Sequence, residues 1–254
     1  MEIKKNNHSF LVSDEWSKRW FSNNKIDTWE QDTFCILEYY KNHKESIYID
    51  IGAWIGPTVL YSANIYKKII ALEPDPVALK RLKQNLSANS FDNIVIIEKG
   101  LSSENGTTEF GGNGALGNSE STLLISNKAD FLSYSGRHTT LHTHNDIVVI
   151  DTITIETLLE QQGINPEHIS LIKMDIEGGE KIVIPALVTF LKQYKPVFYI
   201  SLHRCFLRPS DIEEILILLF GVYDKCYFFR VSGEKKLVDK DFIQKNNLNS
   251  LVFE

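Results

Sequence analysis

The composition of this 254-residue chain excludes several classes of protein. Hydrophobic residues make up 43%, aromatic residues 11% and charged residues 24% of the sequence, proportions that indicate a globular domain and exclude a disordered, collagen-like or coiled-coil chain. The formal net charge is −6, and without a concentrated basic face we expect no nucleic-acid partner. Three cysteines without a CxxC pair suggest a reducing compartment. With neither a secretory leader nor a membrane span, the sequence predicts a cytoplasmic protein.

Short runs rich in β-branched residues alternate with helical patterns along most of the chain. Five of these runs are predicted as strands: residues 46–51, Lys68–Leu72, 93–97, Ile169–Met174 and 195–202. Ser210 and Glu213 have the spacing of a capping box for a later helix, and residues 227–231 and 251–253 are predicted as a closing hairpin. Strands separated by helices form a mostly parallel sheet with helices on both faces. The sequence therefore predicts a doubly wound α/β fold.

The pattern also divides the chain into an extension and a main domain. Residues 1–45 lie outside the alternation and are predicted as an N-terminal helical extension, with Thr28 and Gln31 as a capping box for a helix. Residues 46–254 form the main domain. At about residues 101–150 a stretch crowded with glycines interrupts it, and this stretch is predicted as a loop or hairpin insertion.

An acid and two glycines follow the first predicted strand. In an open α/β sheet, ligands bind outside the carboxyl ends of the strands. Gly52 and Gly56 would let the backbone approach a ligand closely and turn into a helix. Their spacing differs from the GxGxxG pattern of dinucleotide-binding proteins, and Asp50 would repel a phosphate. This loop therefore predicts a cationic or amino-acid-like ligand.

A second acid, Glu73, ends the next predicted strand, 23 residues after Asp50. A carboxylate at that place can accept both hydroxyl protons of a ribose. A nucleoside that carries positive charge and no phosphate indicates S-adenosylmethionine. The alternative is that Gly52 and Gly56 only make a tight turn and that Glu73 is a solvated loop acid.

Four segments, taken in chain order, resemble the motifs of FkbM-type methyltransferases. They are YIDIGAWIGPTVLYS, IIALEPDPVALKRLKQNLSAN, IEKGLSS and LIKMDIEGGE, and together they cover roughly residues 48–187. The resemblance implies the class I fold of S-adenosylmethionine-dependent methyltransferases, usually with seven strands. It also implies methyl transfer to a hydroxyl group on a sugar, a glycolipid or a polyketide-like secondary metabolite.

The same resemblance implies roles for individual residues. From the methionine end of the cofactor to its adenine, the residues implied are Asp50, Gly52, Gly56, Glu73, Gly100 and Ser102.

Trp29 and Glu30 form an aromatic–acid pair that could close over the cofactor. Helix-start packing, with the acid in the first turn, explains that pair as well.

Two acids follow the fourth predicted strand, and the resemblance places them beside the transferred methyl group. Asp175 and Glu177 are two residues apart, so in extended backbone both side chains face the same cleft. The pair could raise one another's pKa, bind a divalent metal ion or hold the amino group of the cofactor. Glu177 and Glu180 could instead complement the N-terminus of the next helix, and we favour that interpretation for Glu180.

His203 follows the fifth predicted strand. A histidine can take a proton from a hydroxyl group near neutral pH, so we predict His203 as the base, with Asp175 as its orienter or as a metal ligand. The reverse assignment and a structural histidine stay open. Many members of the family carry a glutamate two residues earlier, where this chain has Ser201. His203 is therefore expected to lack its acidic partner.

Other interpretations of the sequence stay open. His138, His142 and His144 lie in the insertion, where they could bind a metal ion or belong to an exposed polar hairpin. A nicotinamide-dependent oxidoreductase would share the sheet and the acid after the second strand. A catalytically silent binding scaffold would keep the whole fold.

Overall fold

The computed structural model describes residues 1–22, 25–112, 115–123 and 147–254. Its strands, numbered in chain order, are β1 (Glu2–Lys5), β2 (His8–Leu11), β3 (Ile47–Ile51), β4 (Lys68–Leu72), β5 (Ile94–Ile97), β6 (Gly100–Leu101), β7 (Gly106–Gly112), β8 (Ser121–Thr122), β9 (Val148–Ile153), β10 (Ile169–Met174), β11 (Val197–Ser201), β12 (Cys226–Phe229), β13 (Lys235–Val238) and β14 (Ser250–Phe253). Its helices are α1 (Glu15–Phe21), α2 (Lys25–Thr28), α3 (Gln31–Tyr40), α4 (Pro57–Ser62), α5 (Pro76–Ser87), α6 (Ile155–Gln162), α7 (Glu180–Tyr194), α8 (Pro209–Phe220) and α9 (Lys240–Lys245).

Eight strands of the described chain form the central sheet, in the order β13-β12-β14-β11-β10-β3-β4-β5. From β5 to β11 neighbouring strands are parallel, and β14, β12 and β13 continue the sheet in antiparallel pairs. The predicted doubly wound α/β fold is confirmed, but the described sheet is mixed, with four parallel and three antiparallel pairs of neighbouring strands. The count of seven strands is wrong for this chain, because β13 pairs with β12 and adds an eighth strand at the edge.

Alternate residues of the central strands enter two separate cores, because successive side chains of a strand point to opposite faces. In β3, Ile49 and Ile51 join the core that α6, α7 and α8 cover. Tyr48 joins the other core, which also contains Phe34 of α3 and Val59 of α4. The N-terminal segment therefore completes one of the two helical layers.

The predicted capping boxes are wrong at both places. α3 begins at Gln31, and the residue before it adopts a left-handed conformation without a side-chain cap, while Thr28 ends α2. α8 begins at Pro209, one residue earlier than Ser210. Proline fits the first helical position, and the backbone N–H just before it is capped by Asp211 at 2.9 Å.

Two further segments differ from their predicted form. The predicted N-terminal helical extension begins with a hairpin of β1 and β2. At the other end, β12 and β14 do pair, but β13 and α9 lie between them in the chain, so they do not form a hairpin. Both differences involve short elements whose partners are set by tertiary packing.

A second sheet, in the order β6-β9-β7-β8, is built from residues around the predicted insertion. β7 extends through Gly112, so the glycine-rich stretch is in part a strand. The domain boundaries remain predictions. His138, His142 and His144 lie outside the described residues. Among the helices that the structure describes, none has the length and apolar character needed to cross a bilayer.

Candidate active site

A cavity lies at the carboxyl ends of β3, β4 and β10. The chain winds from β3 to β4 on one side and returns to β10 on the other, which is where doubly wound sheets bind ligands. The predicted site residues that line this cavity are Glu30, Gly52, Glu73, Gly100, Asp175 and Glu177. The structure places Asp50, Gly56 and Ser102 outside the lining; the backbone N–H of Ser102, for example, donates to the carbonyl of Ile153 at 3.0 Å.

Gly52 is required by the close approach of two strand ends. Its φ is +88°, and a Cβ atom there would lie 2.0 Å from the carbonyl oxygen of Asp175. Gly56, at φ +94°, stands immediately before α4, and its Cβ would lie 2.5 Å from Leu82. Of these two glycines only Gly52 lines the cavity, so Gly56 shapes the turn while Gly52 exposes backbone to a ligand.

Asp50 lies beneath the cavity and pairs with a lysine that the sequence analysis did not single out. It is fully buried, and its carboxylate accepts hydrogen bonds from Thr58 at 2.5 Å and from Lys173 Nζ at 3.1 Å. Lys173 Nζ also lies 3.3 Å from Asp175. Although burial alone lowers the pKa of Lys173, the charges of Asp50 and Asp175 raise it above its ordinary value. The sequence signal for this ion pair was Lys173 itself, a charged residue inside the mostly apolar strand β10.

Glu73 is a buried acid on the cavity wall, with 5% of its surface exposed. One carboxylate oxygen accepts the backbone N–H of Trp54 at 2.6 Å, and the other accepts the N–H of Asp75 at 2.8 Å. Burial raises the pKa of Glu73 to about 8, against the opposing effect of these two N–H groups. The alternative of a solvated loop acid is wrong. Each oxygen keeps a lone pair that can accept a further hydrogen bond.

His203 is held between carboxylates. Its Nε2 lies 3.1 Å from Asp175 and 3.4 Å from Glu177, and its Nδ1 lies 3.2 Å from Glu180. Burial alone lowers the pKa of His203, but its hydrogen bonds with Asp175 and Glu180 raise it well above its ordinary value. His203 itself does not line the cavity, but it contacts Asp175 and Glu177, which do.

The expectation that His203 lacks an acidic partner is wrong. Ser201 leaves β11 without a glutamate, but the first residue of α7, Glu180, provides the carboxylate instead. Glu180 is fully buried and also accepts the backbone N–H of Ile176 at 3.2 Å. From the sequence this acid is expected to complement the helix N-terminus, because nothing local links it to a residue 23 positions later.

The acids of the cavity have shifted pKa values and an unusual backbone. Burial raises the pKa of Asp175, but Lys173 and His203 outweigh it and hold the pKa well below its ordinary value. Burial raises the pKa of Glu177 to about 8, and burial together with the charge of Asp175 raises that of Glu30 to about 8. Glu30 and Glu177 have φ values of +38° and +52°. Such strain collects at functional sites and costs about 1–3 kcal/mol per residue.

The four tryptophans of the chain gather at the cavity. The Trp20 ring lies 5.0 Å from Trp54 and 5.2 Å from Trp29, and Trp16 lies 5.8 Å from Trp54, all edge to face. Trp20, Trp29 and Trp54 line the cavity. Only Trp29 was singled out by sequence, since the others come from segments that packing alone brings together. The N-terminal segment thus provides one wall of the site.

The sequence matches the family model described as "Methyltransferase FkbM domain" over residues 50–228. Over 77 residues it is 32% identical to a ribosomal protein L11 methyltransferase of Clostridium botulinum, a match that covers 29% of this chain and 24% of that protein. The chain therefore matches only about a quarter of the length of this curated relative.

Comparison with solved structures matches the chain to a methyltransferase FkbM from Methylobacillus flagellatus KT. It has a TM-score of 0.48 and 15% sequence identity, and the match covers 96% of this chain and 56% of that one. An rRNA methylase from Streptococcus thermophilus has a TM-score of 0.44 and 12% identity, with 87% of this chain and 93% of that chain covered.

Proposed function

Because the chain belongs to the FkbM methyltransferase family, whose model matches residues 50–228, we propose that it is an S-adenosylmethionine-dependent O-methyltransferase. The acceptor is a hydroxyl group of a sugar, a glycolipid or a secondary metabolite. The observation that carries this proposal is the buried carboxylate of Glu73 on the wall of a cavity at the switch point of the sheet. The family match also argues against the alternative of a nicotinamide-dependent oxidoreductase.

The cavity fits the adenosyl cofactor in two respects. Glu73 can accept the ribose hydroxyl protons, because each of its oxygens uses only one lone pair on the backbone. Gly52, which lines the cavity, presents backbone without a side chain to the methionine end of the cofactor. In this proposal Gly100 flanks the adenine, while Asp50 acts from below by holding Lys173. When bound, S-adenosylmethionine supplies an electrophilic methyl group on a sulfonium.

We assign proton removal from the acceptor hydroxyl to the pair of Asp175 and His203. Asp175 lines the cavity, and His203 Nε2 lies 3.1 Å from it. Glu180 holds the opposite nitrogen of the ring and so fixes its orientation. A positive charge entering the cavity disfavours the protonated ring, which prepares the pair to accept a proton. Positioning of the acceptor against the cofactor supplies most of the remaining decrease in the activation free energy, roughly 7–11 kcal/mol in favourable cases.

The proposed acceptor is a small molecule or a glycan and not a nucleic acid. The net charge of the chain is −6, and the methyl-transfer end of the cavity carries Glu30, Asp175 and Glu177. A phosphate backbone would be repelled there. Metal dependence, first suggested by Asp175 and Glu177, is a separate prediction.

The first test is calorimetric titration of the full chain with S-adenosylhomocysteine, followed by mass spectrometry of sugar and lipid acceptors incubated with S-adenosylmethionine. Micromolar binding and a mass increase of one methyl group support the proposal. A well-folded protein that binds no S-adenosylhomocysteine would leave the binding scaffold as the better function.

Replacing His203 with asparagine is expected to lower turnover by about 10²–10⁴-fold, the usual contribution of acid–base catalysis. Binding of S-adenosylhomocysteine should change by less than about threefold, since His203 does not line the cavity. Turnover and binding are measured on the same preparation, and thermal unfolding checks its fold. Normal turnover would remove His203 from the mechanism.

Affinity for S-adenosylhomocysteine is expected to rise with pH between 6 and 9. The pKa of Glu73 is about 8, and the ionised carboxylate is the form that accepts two hydroxyl protons. Because protonation competes with binding, affinity should fall about tenfold per pH unit below that pKa. Titrations at several pH values measure the slope. The Glu73→Gln variant should bind more weakly and with a shallower slope, because of the described cavity residues only Glu30 and Glu177, with pKa values of about 8, still titrate over this range. A wild type with a flat profile would contradict the ribose role.

A further inference from the structure

We propose that Asp175, Glu177 and His203 bind a divalent first-row metal ion at the methyl-transfer end of the cavity. The ion would hold the acceptor hydroxyl, so this inference rests on the proposed methyl transfer and specifies how the acceptor is bound. The sequence suggested only the two carboxylates, and the structure adds a nitrogen ligand from a different strand end.

The spacing of the three side chains fits one ion. One ligand atom from each residue lies within 4.8 Å of the others, with His203 Nε2 3.1 Å from Asp175 and 3.4 Å from Glu177. Metal–ligand bonds of about 2.1 Å place two ligands about 3.0 Å apart at a right angle and about 3.4 Å apart at a tetrahedral angle. Both distances from His203 therefore match two ligands of one ion, and the two carboxylates lie within 4.8 Å of each other.

A fourth residue holds the histidine in the orientation that metal binding needs. Glu180 Oε1 lies 3.2 Å from His203 Nδ1, so Nδ1–H can donate to Glu180 while Nε2 is directed at the two carboxylates. Histidines that bind metals usually donate their second N–H to such a carboxylate. Glu180 is thus a positioning residue.

The carboxylate of Glu180 is itself only partly hydrogen-bonded. Its side chain is fully buried, and its second oxygen, Oε2, has no hydrogen-bond partner among the described residues. A buried polar atom without a partner costs about 1–3 kcal/mol. This carboxylate faces His203, and Asp175 and Glu177 contact the same ring, so three acids surround one imidazole. Lys173, 3.3 Å from Asp175, offsets part of that charge, and a divalent ion on Nε2 would offset the remainder.

The donor set indicates which ions fit. One imidazole nitrogen and two carboxylates suit Mn²⁺, Fe²⁺ or Zn²⁺, whereas Mg²⁺ and Ca²⁺ prefer oxygen ligands alone. Three protein ligands leave coordination positions open, and Asp175 and Glu177 line the cavity, so an acceptor hydroxyl can reach the ion. With the ion bound, Asp175 and His203 would serve as its ligands, in place of the proton-accepting role that they have as a metal-free pair. The ion would let the acceptor hydroxyl release its proton to water more easily. The hydroxyl oxygen would form the new bond to the methyl carbon, and the electron pair of the broken C–S bond would stay on sulfur.

The test is a titration of the full chain with MnCl₂ in the absence of cofactor. Binding is measured as the loss of the electron paramagnetic resonance signal of free Mn²⁺. Mn²⁺ is chosen because it binds thiols weakly. We expect one ion per chain. Asp175→Asn and Glu177→Gln should each weaken binding by at least tenfold, and Glu180→Gln by about 10–100-fold.

Two control variants separate this site from other histidines. His8 pairs with Glu38 at 3.0 Å and has no second acid in contact among the described residues, so His8→Asn should bind Mn²⁺ normally. Joint replacement of His138, His142 and His144 by asparagine should also leave binding intact. Absence of binding by the folded protein would overturn the proposal, as would binding that survives the Asp175 and Glu177 substitutions. Circular dichroism confirms the fold of each variant.

The outcomes distinguish this inference from the proposed function. Binding of S-adenosylhomocysteine without binding of Mn²⁺ would leave methyl transfer standing and overturn the metal site. Binding of Mn²⁺ without binding of S-adenosylhomocysteine would support the ligand set and reject the cofactor.

Discussion

Replacement of Glu73 by alanine is expected to weaken binding of S-adenosylhomocysteine by about 10²–10⁴-fold. Hydrogen bonds to a charged group contribute about 1.5–3 kcal/mol each, and the ribose offers two hydroxyl donors. Two such bonds amount to about 3–6 kcal/mol, and each 1.4 kcal/mol corresponds to about tenfold in affinity. Calorimetric titration of the variant and of the wild type measures the difference.

The variant needs a structural control, because Glu73 also accepts the backbone N–H groups of Trp54 and Asp75. Urea unfolding shows whether the alanine variant is still folded under the titration conditions. Glu98→Ala removes an acid from an exposed pair with Lys83 on the same edge of the sheet, and its affinity should match the wild type. An affinity of the Glu73 variant within threefold of the wild type would mean that the ribose is bound elsewhere.

The parts of this molecule that could be predicted from sequence are those encoded locally. Lys68–Leu72 and Ile169–Met174 are strands as predicted, because each is a short, mostly apolar run that contains two isoleucines and has a length typical of a buried strand. Gly52 and Glu73 could be placed in the cavity from the same logic. Each directly follows a parallel strand, and the carboxyl ends of parallel strands share one edge.

The electrostatic partners could not be predicted, because they join residues that are distant in sequence. Lys173 and Asp50 are 123 positions apart and meet only through the pairing of β10 with β3. His203 and Glu180 come from a strand end and a helix start. Register and crossover geometry decide such contacts, and a single sequence shows only that a buried charge must have some partner.

The aromatic wall of the site could not be predicted from sequence either. The resemblance to FkbM methyltransferases began at residue 48, so it carried no information about Trp16 and Trp20. Their ring contacts with Trp54 depend on how the N-terminal layer packs on the sheet. Edge-to-face aromatic packing adds about 0.5–1.5 kcal/mol per pair, a tertiary effect without a local pattern.

Replacement of Lys173 by methionine is expected to lower the free energy of unfolding by about 3–5 kcal/mol. Lys173 is 2% exposed, and Asp50 is fully buried. Removal of one partner of a buried ion pair leaves the other charge uncompensated, which produces losses of this size. Here Asp175, 3.3 Å from the same ammonium group, loses a partner as well. Urea denaturation of the variant and the wild type measures the change.

The double variant Asp50→Asn, Lys173→Met separates the charge effect from lost packing. Asparagine keeps an oxygen that can accept the hydrogen bond of Thr58 and removes the unpaired charge, so we expect it to recover much of the stability that Lys173→Met loses. Residues in contact usually show coupling energies of about 0.5–3 kcal/mol in such a cycle. Strict additivity of the two substitutions would mean that Asp50 and Lys173 are stabilised independently. The structure beneath the cavity would then depend on the packing of β3 against β10 and not on the ion pair between Asp50 and Lys173.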